Sequence, residues 1–310
     1  MIGTRELGLT ILVLLSVRSC DYKVKAAQTA TTCPVLTRIT GETTTLRGDL
    51  SMADGGITFK SALKRSPIQD SQLPEVHVRR IAGGRAGDGR ALRYEVRGPC
   101  ESEAACHRRD GMQKVHHHVL FSDPQYGERM RQFGSLTARF SVRVLELGPS
   151  WTIIAQLWQG APHAPPLALV ARRLDGRLAL RFSGRNDATG SSPSAHPVTL
   201  KQVEGLNFDE WYDVAIQIDR PAQPRSASLM TVGRAGEALA ATGPADASPE
   251  VMIGYSQNGC PYANQCTVAK PTGLLDFSIG IYRPASKETA VVDFDDIEVL
   301  GGALSACLKP

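Results

Sequence analysis

The chain has 310 residues, of which 42% are hydrophobic and 21% charged, and a formal net charge of +4 at pH 7. That length suits one large β domain or two ordinary ones, and the composition excludes a disordered or fibrous chain. The small positive excess favours an anionic partner, but Lys and Arg are scattered and no nucleic-acid-binding module is recognisable, so nucleic acid is not the expected ligand.

In chain order, the first element reads as an export signal. Arg5 precedes an apolar run from Leu7 to Val17, which has signal-core length and is too short to span a bilayer. Two exits compete. Cleavage after Ala26 gives a signal peptide over residues 1–26, whereas a lipoprotein-type signal ends before Cys20, a reading that Arg18 fits poorly. Either way the mature chain is expected outside the cytoplasm, secreted or periplasmic, with no transmembrane segment and a lipid anchor if Cys20 is modified.

Seven cysteines fit an oxidising compartment. With Cys20 set aside, the spacing suggests Cys100 with Cys106, Cys260 with Cys266, and Cys33 with Cys307, the last tying the ends of the mature chain together. Other pairings and free buried thiols stay open. Zinc is disfavoured because no C-x-x-C pair occurs.

Beyond the signal, short runs of period-two alternation recur between Gly, Pro, Asp and Asn: 91–98, 114–121, 134–147, 151–158, 167–174, 177–184, 211–220, 276–283 and 290–300. Asp175-Gly176 marks a tight hairpin between two of them. One short helix is expected around 124–134. Nine or more strands joined by turns predict an all-β fold, a jelly roll or two-sheet antiparallel sandwich, as a single domain over 30–310.

Alternation also assigns faces. Leu92, Tyr94 and Val96 form an apolar face, leaving Arg93, Glu95 and Arg97 together. That set is either a solvated face or a cleft in which Glu95 orients the two arginines toward an anion. Lys114, His116 and His118 share a face, with His116 and His118 as candidate bases and a metal site disfavoured. Ile153, Ala155 and Leu157 are expected on one side of the next strand, with Ile154, Gln156 and Trp158 on the other. An indole beside an amide is a sugar-stacking arrangement. Phe277, Ile279 and Ile281 point to the core, and Gly280, two residues before Tyr282, is expected to leave room for a ligand.

These motifs, in this order, resemble the jelly-roll polysaccharide lyases, the alginate-lyase and heparin-lyase-like families of concanavalin-like sandwich. RYEVR (93–97) matches the R-x-E-x-R strand of that group, QLW (156–158) keeps the glutamine of Q-[IV]-H, and DFSIGIYRP (276–284) keeps Phe277, Gly280 and Tyr282. GIYR (280–283), the plan of 165–180 and the strand at 208–219 resemble the heparin-lyase-like side. The resemblance implies an exported lyase that cleaves a uronic-acid polymer such as alginate, glucuronan or a glycosaminoglycan by β-elimination. Gln156 and Arg93 would neutralise the uronate carboxylate as an oxyanion hole does. Tyr282 would protonate the leaving oxygen and act as base if nearby arginines lower its pKa. Arg97, Trp158, Lys114, Glu95 and Arg283 would hold the substrate.

Where the family has its histidine, this chain has Trp158, and the shifted reading WQG puts Gln159 there. Three consequences stay open: Tyr282 acts as both acid and base, a histidine of 116–118 substitutes from an adjacent strand, or the site binds without cutting. The last is the competing function, a non-catalytic carbohydrate-binding protein. A glycoside hydrolase is disfavoured because no E-x-D-x-x-E strand occurs, and a serine hydrolase because no G-x-S-x-G elbow does. The resemblance implies no cofactor, leaves a structural calcium open, and is compatible with a monomer.

Overall fold

A computed structural model describes residues 33–39, 52–54, 57–66, 76–85, 87, 89–98, 112–120, 133–158, 165, 167–185, 197–219, 225–226, 228–237, 251–252, 276–284 and 286–307. These form strands paired antiparallel in two large sheets. Sheet A runs in the order β14 (Ser228–Arg234), β12 (Trp211–Asp219), β7 (Ser135–Glu146), β17 (Ala290–Gly301), β5 (Arg90–Val96) and β4 (Val76–Ala82), with β1 (Val35–Ile39) also paired to β17. Sheet B runs β11 (Pro197–Leu206), β10 (Arg177–Arg185), β9 (Leu167–Leu174), β8 (Thr152–Trp158), β16 (Asp276–Pro284), β6 (Met112–Leu120), β3 (Ile57–Ser66) and β2 (Met52–Asp54). A separate pair joins β13 (Arg225–Ser226) to β15 (Val251–Met252), and a short helix, α1, covers Leu304–Cys307.

The two sheets form a sandwich because each presents one apolar face to the other. In sheet A, Leu136, Phe140, Val142 and Val144 of β7 alternate inward, as do Leu92, Tyr94 and Val96 of β5. In sheet B the inward set includes Phe277, Ile279 and Ile281 of β16 with Leu178, Leu180 and Phe182 of β10. Phe140 meets Phe294 at 6.0 Å within sheet A and Phe277 at 6.3 Å across the sandwich. The architecture is therefore the all-β jelly-roll sandwich that the alternation predicts.

The outward side of sheet A is a ladder of ion pairs. The buried carboxylate of Asp293 receives Arg93 (2.7 and 2.9 Å) and Arg143 (2.8 Å). Glu298 receives Arg38 and Arg139, and Asp213 receives Arg85 (2.6 and 2.8 Å) and Ser141 (2.6 Å).

Local departures from alternation matter more for the site. Between β8 and β9 the register jumps from Ile153↔Val170 to Ala155↔Leu169, and between β8 and β16 from Ile153↔Tyr282 to Ala155↔Ile279. These bulges reverse the expected faces at one step. Ile154 packs in the main core with Ala155 and Leu157, while Ile153 sits on the outward side with Ala168, Val170 and Tyr282. The β9–β10 hairpin turns at Asp175-Gly176, both with positive φ (48° and 77°), as the sequence signals.

Cys33 and Cys307 form a disulfide across a separation of 274 residues. Cys20, Cys100, Cys106, Cys260 and Cys266, the signal over 1–26, and the expected helix apart from Phe133 and Gly134 lie outside the described residues. Among the described residues no helix is long and apolar enough to cross a membrane.

Gly280 does not leave room for a ligand, contrary to the expectation from sequence. Its φ is +144°, and a Cβ there would lie 2.1 Å from Val115 O and 2.9 Å from His116 Cα. The missing side chain lets β6 close against β16. Gly280→Ala is therefore expected to destabilise by more than the roughly 1–3 kcal/mol of ordinary overpacking. A urea-unfolding midpoint within error of wild type would show that the two strands can part at no cost.

Candidate active site

On the outward side of sheet B, pairing brings three expected site residues together from adjacent strands. Ser278 of β16 faces Gln156 of β8 in register, and His116 of β6 lies opposite Gly280. Gln156 Nε2 is 3.5 Å from His116 Nδ1. The Tyr282 ring stands edge-on to the His116 ring, with centroids 6.0 Å apart and planes at 73°. Trp151, just before β8, flanks Tyr282 from the other side at 6.0 Å and 67°.

The polar groups here sit low. His116 and Ser278 are 0% exposed and Gln156 4%, while Tyr282 is only partly buried. Gln156 Oε1 and Ser278 Oγ are buried with no hydrogen-bond partner among the described residues. Buried polar atoms are normally satisfied, so such a pair marks a place where a polar partner belongs. A carboxamide also carries two N–H donors, so Gln156 can face His116 with one and a ligand oxygen with the other.

Burial raises the Tyr282 pKa above the ordinary tyrosine value. The role of base was expected for Tyr282 only if nearby arginines lowered its pKa; desolvation instead disfavours the phenolate. A hydroxyl so placed keeps its proton through the physiological range and suits an acid better than a base.

Other expected residues do not join this group. Arg93 and Glu95 lie on β5, in sheet A, and Arg97 directly follows that strand on the same outward side. Arg93 is engaged by Asp293, and Glu95 receives Arg97 (2.7 Å) and Arg79 (3.5 Å). The R-x-E-x-R pattern correctly puts three side chains on one face, but alternation carries no information on which sheet owns the strand. Arg283 points inward instead of toward a substrate. It is 2% exposed and donates to Val96 O (3.1 Å) and Glu288 O, across to sheet A. The side chains of Lys114, His118 and Trp158 lie outside the described residues; by backbone pairing Lys114 is opposite Tyr282, His118 opposite Ser278, and Trp158 opposite Asp276. Gln159 lies outside the described residues altogether.

Sequence reasoning missed Trp151 as a neighbour of Tyr282, because the contact depends on the β8 bulge. It also missed Ser183 of β10, whose buried Oγ has no partner among the described residues. Pairing extends the row across the sheet, since Ala168 faces both Gln156 and Ser183. Among the described residues no group of three or more His, Cys, Asp or Glu is placed to hold a metal ion.

No protein-family model and no curated protein matches this chain. Solved structures that resemble it include an alginate lyase from Pseudomonas aeruginosa, with 13% identity over 73% of this chain and 86% of that one and a TM-score of 0.42. An endo-β-1,4-glucuronan lyase from the fungus Trichoderma reesei has 14% identity over 80% and 96%, also at 0.42. The receptor-binding domain of botulinum neurotoxin type G has 9% identity over 88% and 49%, at 0.40. These are distant likenesses of sandwich architecture, so activity has to be argued from the side chains.

A spectrophotometric phenolate titration checks the state of Tyr282. The difference between wild type and Tyr282→Phe is expected to titrate above the ordinary tyrosine value of about 10. A midpoint at or below that value would mean that a positive charge reaches the ring.

Proposed function

We propose that the protein is an exported polysaccharide lyase that cleaves an anionic, uronate-containing polymer by β-elimination on the outward side of sheet B. The observation that carries this reading is the convergence of Gln156, His116 and Tyr282 on three neighbouring strands. In the reaction the C5 proton of the uronate passes to a base, the C4–O bond breaks, a C4=C5 double bond forms, and the departing oxygen takes a proton. Gln156 donates to the substrate carboxylate and disperses the charge that builds there as C5 is deprotonated. Tyr282, held protonated by burial, donates to the departing oxygen. His116 supplies the base in its neutral form, from the strand next to Tyr282, in place of the histidine that the resemblance would put at Trp158. His118 on the same strand, and Trp158 and Lys114 at the edges of the site, complete the proposed substrate contacts. Arg93, Arg97, Glu95 and Arg283 have no part in it.

One observation favours the second reading, a carbohydrate-binding protein without turnover. His116 and Gln156 are almost wholly buried, so a sugar must displace what covers them before C5 reaches the imidazole.

The test is the ultraviolet absorbance of the unsaturated uronate while the purified protein is incubated with alginate, glucuronan, pectate, hyaluronan, chondroitin and heparan sulfate. A rise with one of them is expected. In that reaction Gln156→Ala should cost about 10² or more in rate, the scale of one lost oxyanion donor. Tyr282→Phe should abolish turnover while affinity stays within a few-fold, about 1 kcal/mol. No rise with any polymer, together with retention on one of them in affinity electrophoresis, would establish the binding protein.

A further inference from the structure

A second row of side chains crosses the same side of sheet B. Pairing places Tyr282 of β16 beside Ile153 of β8, Ile153 beside Val170 of β9, and Val170 beside Arg181 of β10. Ile153, Val170 and the adjacent Ala168 form a small apolar cluster that packs with Tyr282 and Trp151. The row therefore runs from the candidate acid, over an apolar floor, to an arginine. It spans three strand spacings, roughly 14 Å.

Arg181 is not alone there. The β9–β10 register pairs Arg172 with Ala179 and Val170 with Arg181, which makes the two arginines diagonal neighbours on one face, about 7–8 Å apart. Like charges so placed repel, and partial burial makes this worse: desolvation, then Arg172, lowers the Arg181 pKa. Neither arginine has an ion pair among the described residues, and Arg181 Nε is buried without a hydrogen-bond partner. On the neighbouring β11, Glu204 accepts from Gln202 instead. On sheet A, by contrast, Arg38, Arg85, Arg93, Arg139 and Arg143 all have carboxylates. Two partly buried arginines at diagonal positions on one face, one with an unsatisfied donor, offer guanidinium donors that suit an oxyanion.

We infer that Arg172 and Arg181 form an anion-binding subsite that holds a charged group of the polymer, a carboxylate or a sulfate ester, three strands away from Tyr282. This rests on reading that side of sheet B as the polymer site. The apolar floor carries the sugar ring between the Tyr282 hydroxyl and the two arginines.

The test is isothermal titration of wild type, Tyr282→Phe, and the double variant Arg172→Gln/Arg181→Gln with oligouronates, sulfated oligosaccharides, a neutral oligosaccharide and inorganic sulfate. Thermal melts serve to confirm that the double variant is folded. Anion affinity is expected to fall about 10-fold or more in the double variant, the scale of lost hydrogen bonds to a charged group, and to persist in Tyr282→Phe. Its salt dependence should weaken as well. Preference for the uronate or the sulfated series names the anion. Unchanged anion affinity in a folded double variant overturns the subsite and leaves the lyase reading standing. Arginine-dependent anion binding with no elimination on any polymer overturns the lyase reading and leaves the subsite. A wild type that binds none of these anions overturns the subsite outright.

Discussion

The candidate site depends on how closely β6 approaches β16 at Gly280. Any side chain there would run into the backbone at Val115 and His116, so the glycine sets the distance between the two strands. His116 is brought edge-on to Tyr282 and within reach of Gln156 by that approach. The bulges on the far side of β16 complete the arrangement by turning Ile153 outward beneath Tyr282 while Ile154 joins the core. A backbone feature on each flank of one strand thus assembles a polar group that no single segment contains.

The two outward sides of the sandwich obey opposite rules. On sheet A, Asp293 and Glu298 each gather two arginines and Asp213 gathers Arg85, Ser141 and the Gly236 N–H, and the charges are satisfied within the protein. Exposed pairs of this kind add little individually, but a buried carboxylate shared by two arginines is costly to break. On sheet B, the atoms Gln156 Oε1, Ser278 Oγ, Ser183 Oγ and Arg181 Nε are buried without hydrogen-bond partners among the described residues. Local rules tend to be violated where function requires it, and these four atoms share one side of sheet B, although Arg80 Nε and Ser228 Oγ are likewise buried without hydrogen-bond partners among the described residues in sheet A.

Alternation was enough to find the strands that carry the site, the inward sets on β5 and β16, and the Asp175-Gly176 turn, because each depends on neighbours in sequence. The Cys33–Cys307 link was legible from the position of the two residues near the ends of the mature chain. Two kinds of information were not. The ownership of β5 by sheet A is a matter of topology, so Arg93 looked like a partner of Gln156 when it is a partner of Asp293. The exchange of Ile153 and Ile154 is a matter of one extra residue in a ladder, which no periodicity announces. Arg172 and Arg181 fall between these cases: the hairpin register makes them neighbours, but that no carboxylate among the described residues pairs with them is visible only in the structure.

The position of β17 bears on how the fold is reached. It is the strand between β7 and β5 and it also pairs with β1, yet it follows all of them in the chain. Until it arrives, β14-β12-β7 and β5-β4 have no ladder between them, and β5 and β7 each present an open edge, the kind of surface on which chains aggregate. Its pairings join residues far apart in sequence, so they form late and slowly. Cys307 follows shortly behind, and its bond to Cys33 ties the start of β1 to the chain just beyond β17. The same strand therefore acts as keystone and latch: a chain halted before residue 290 lacks half of the contacts in sheet A and has no means of locking the rest.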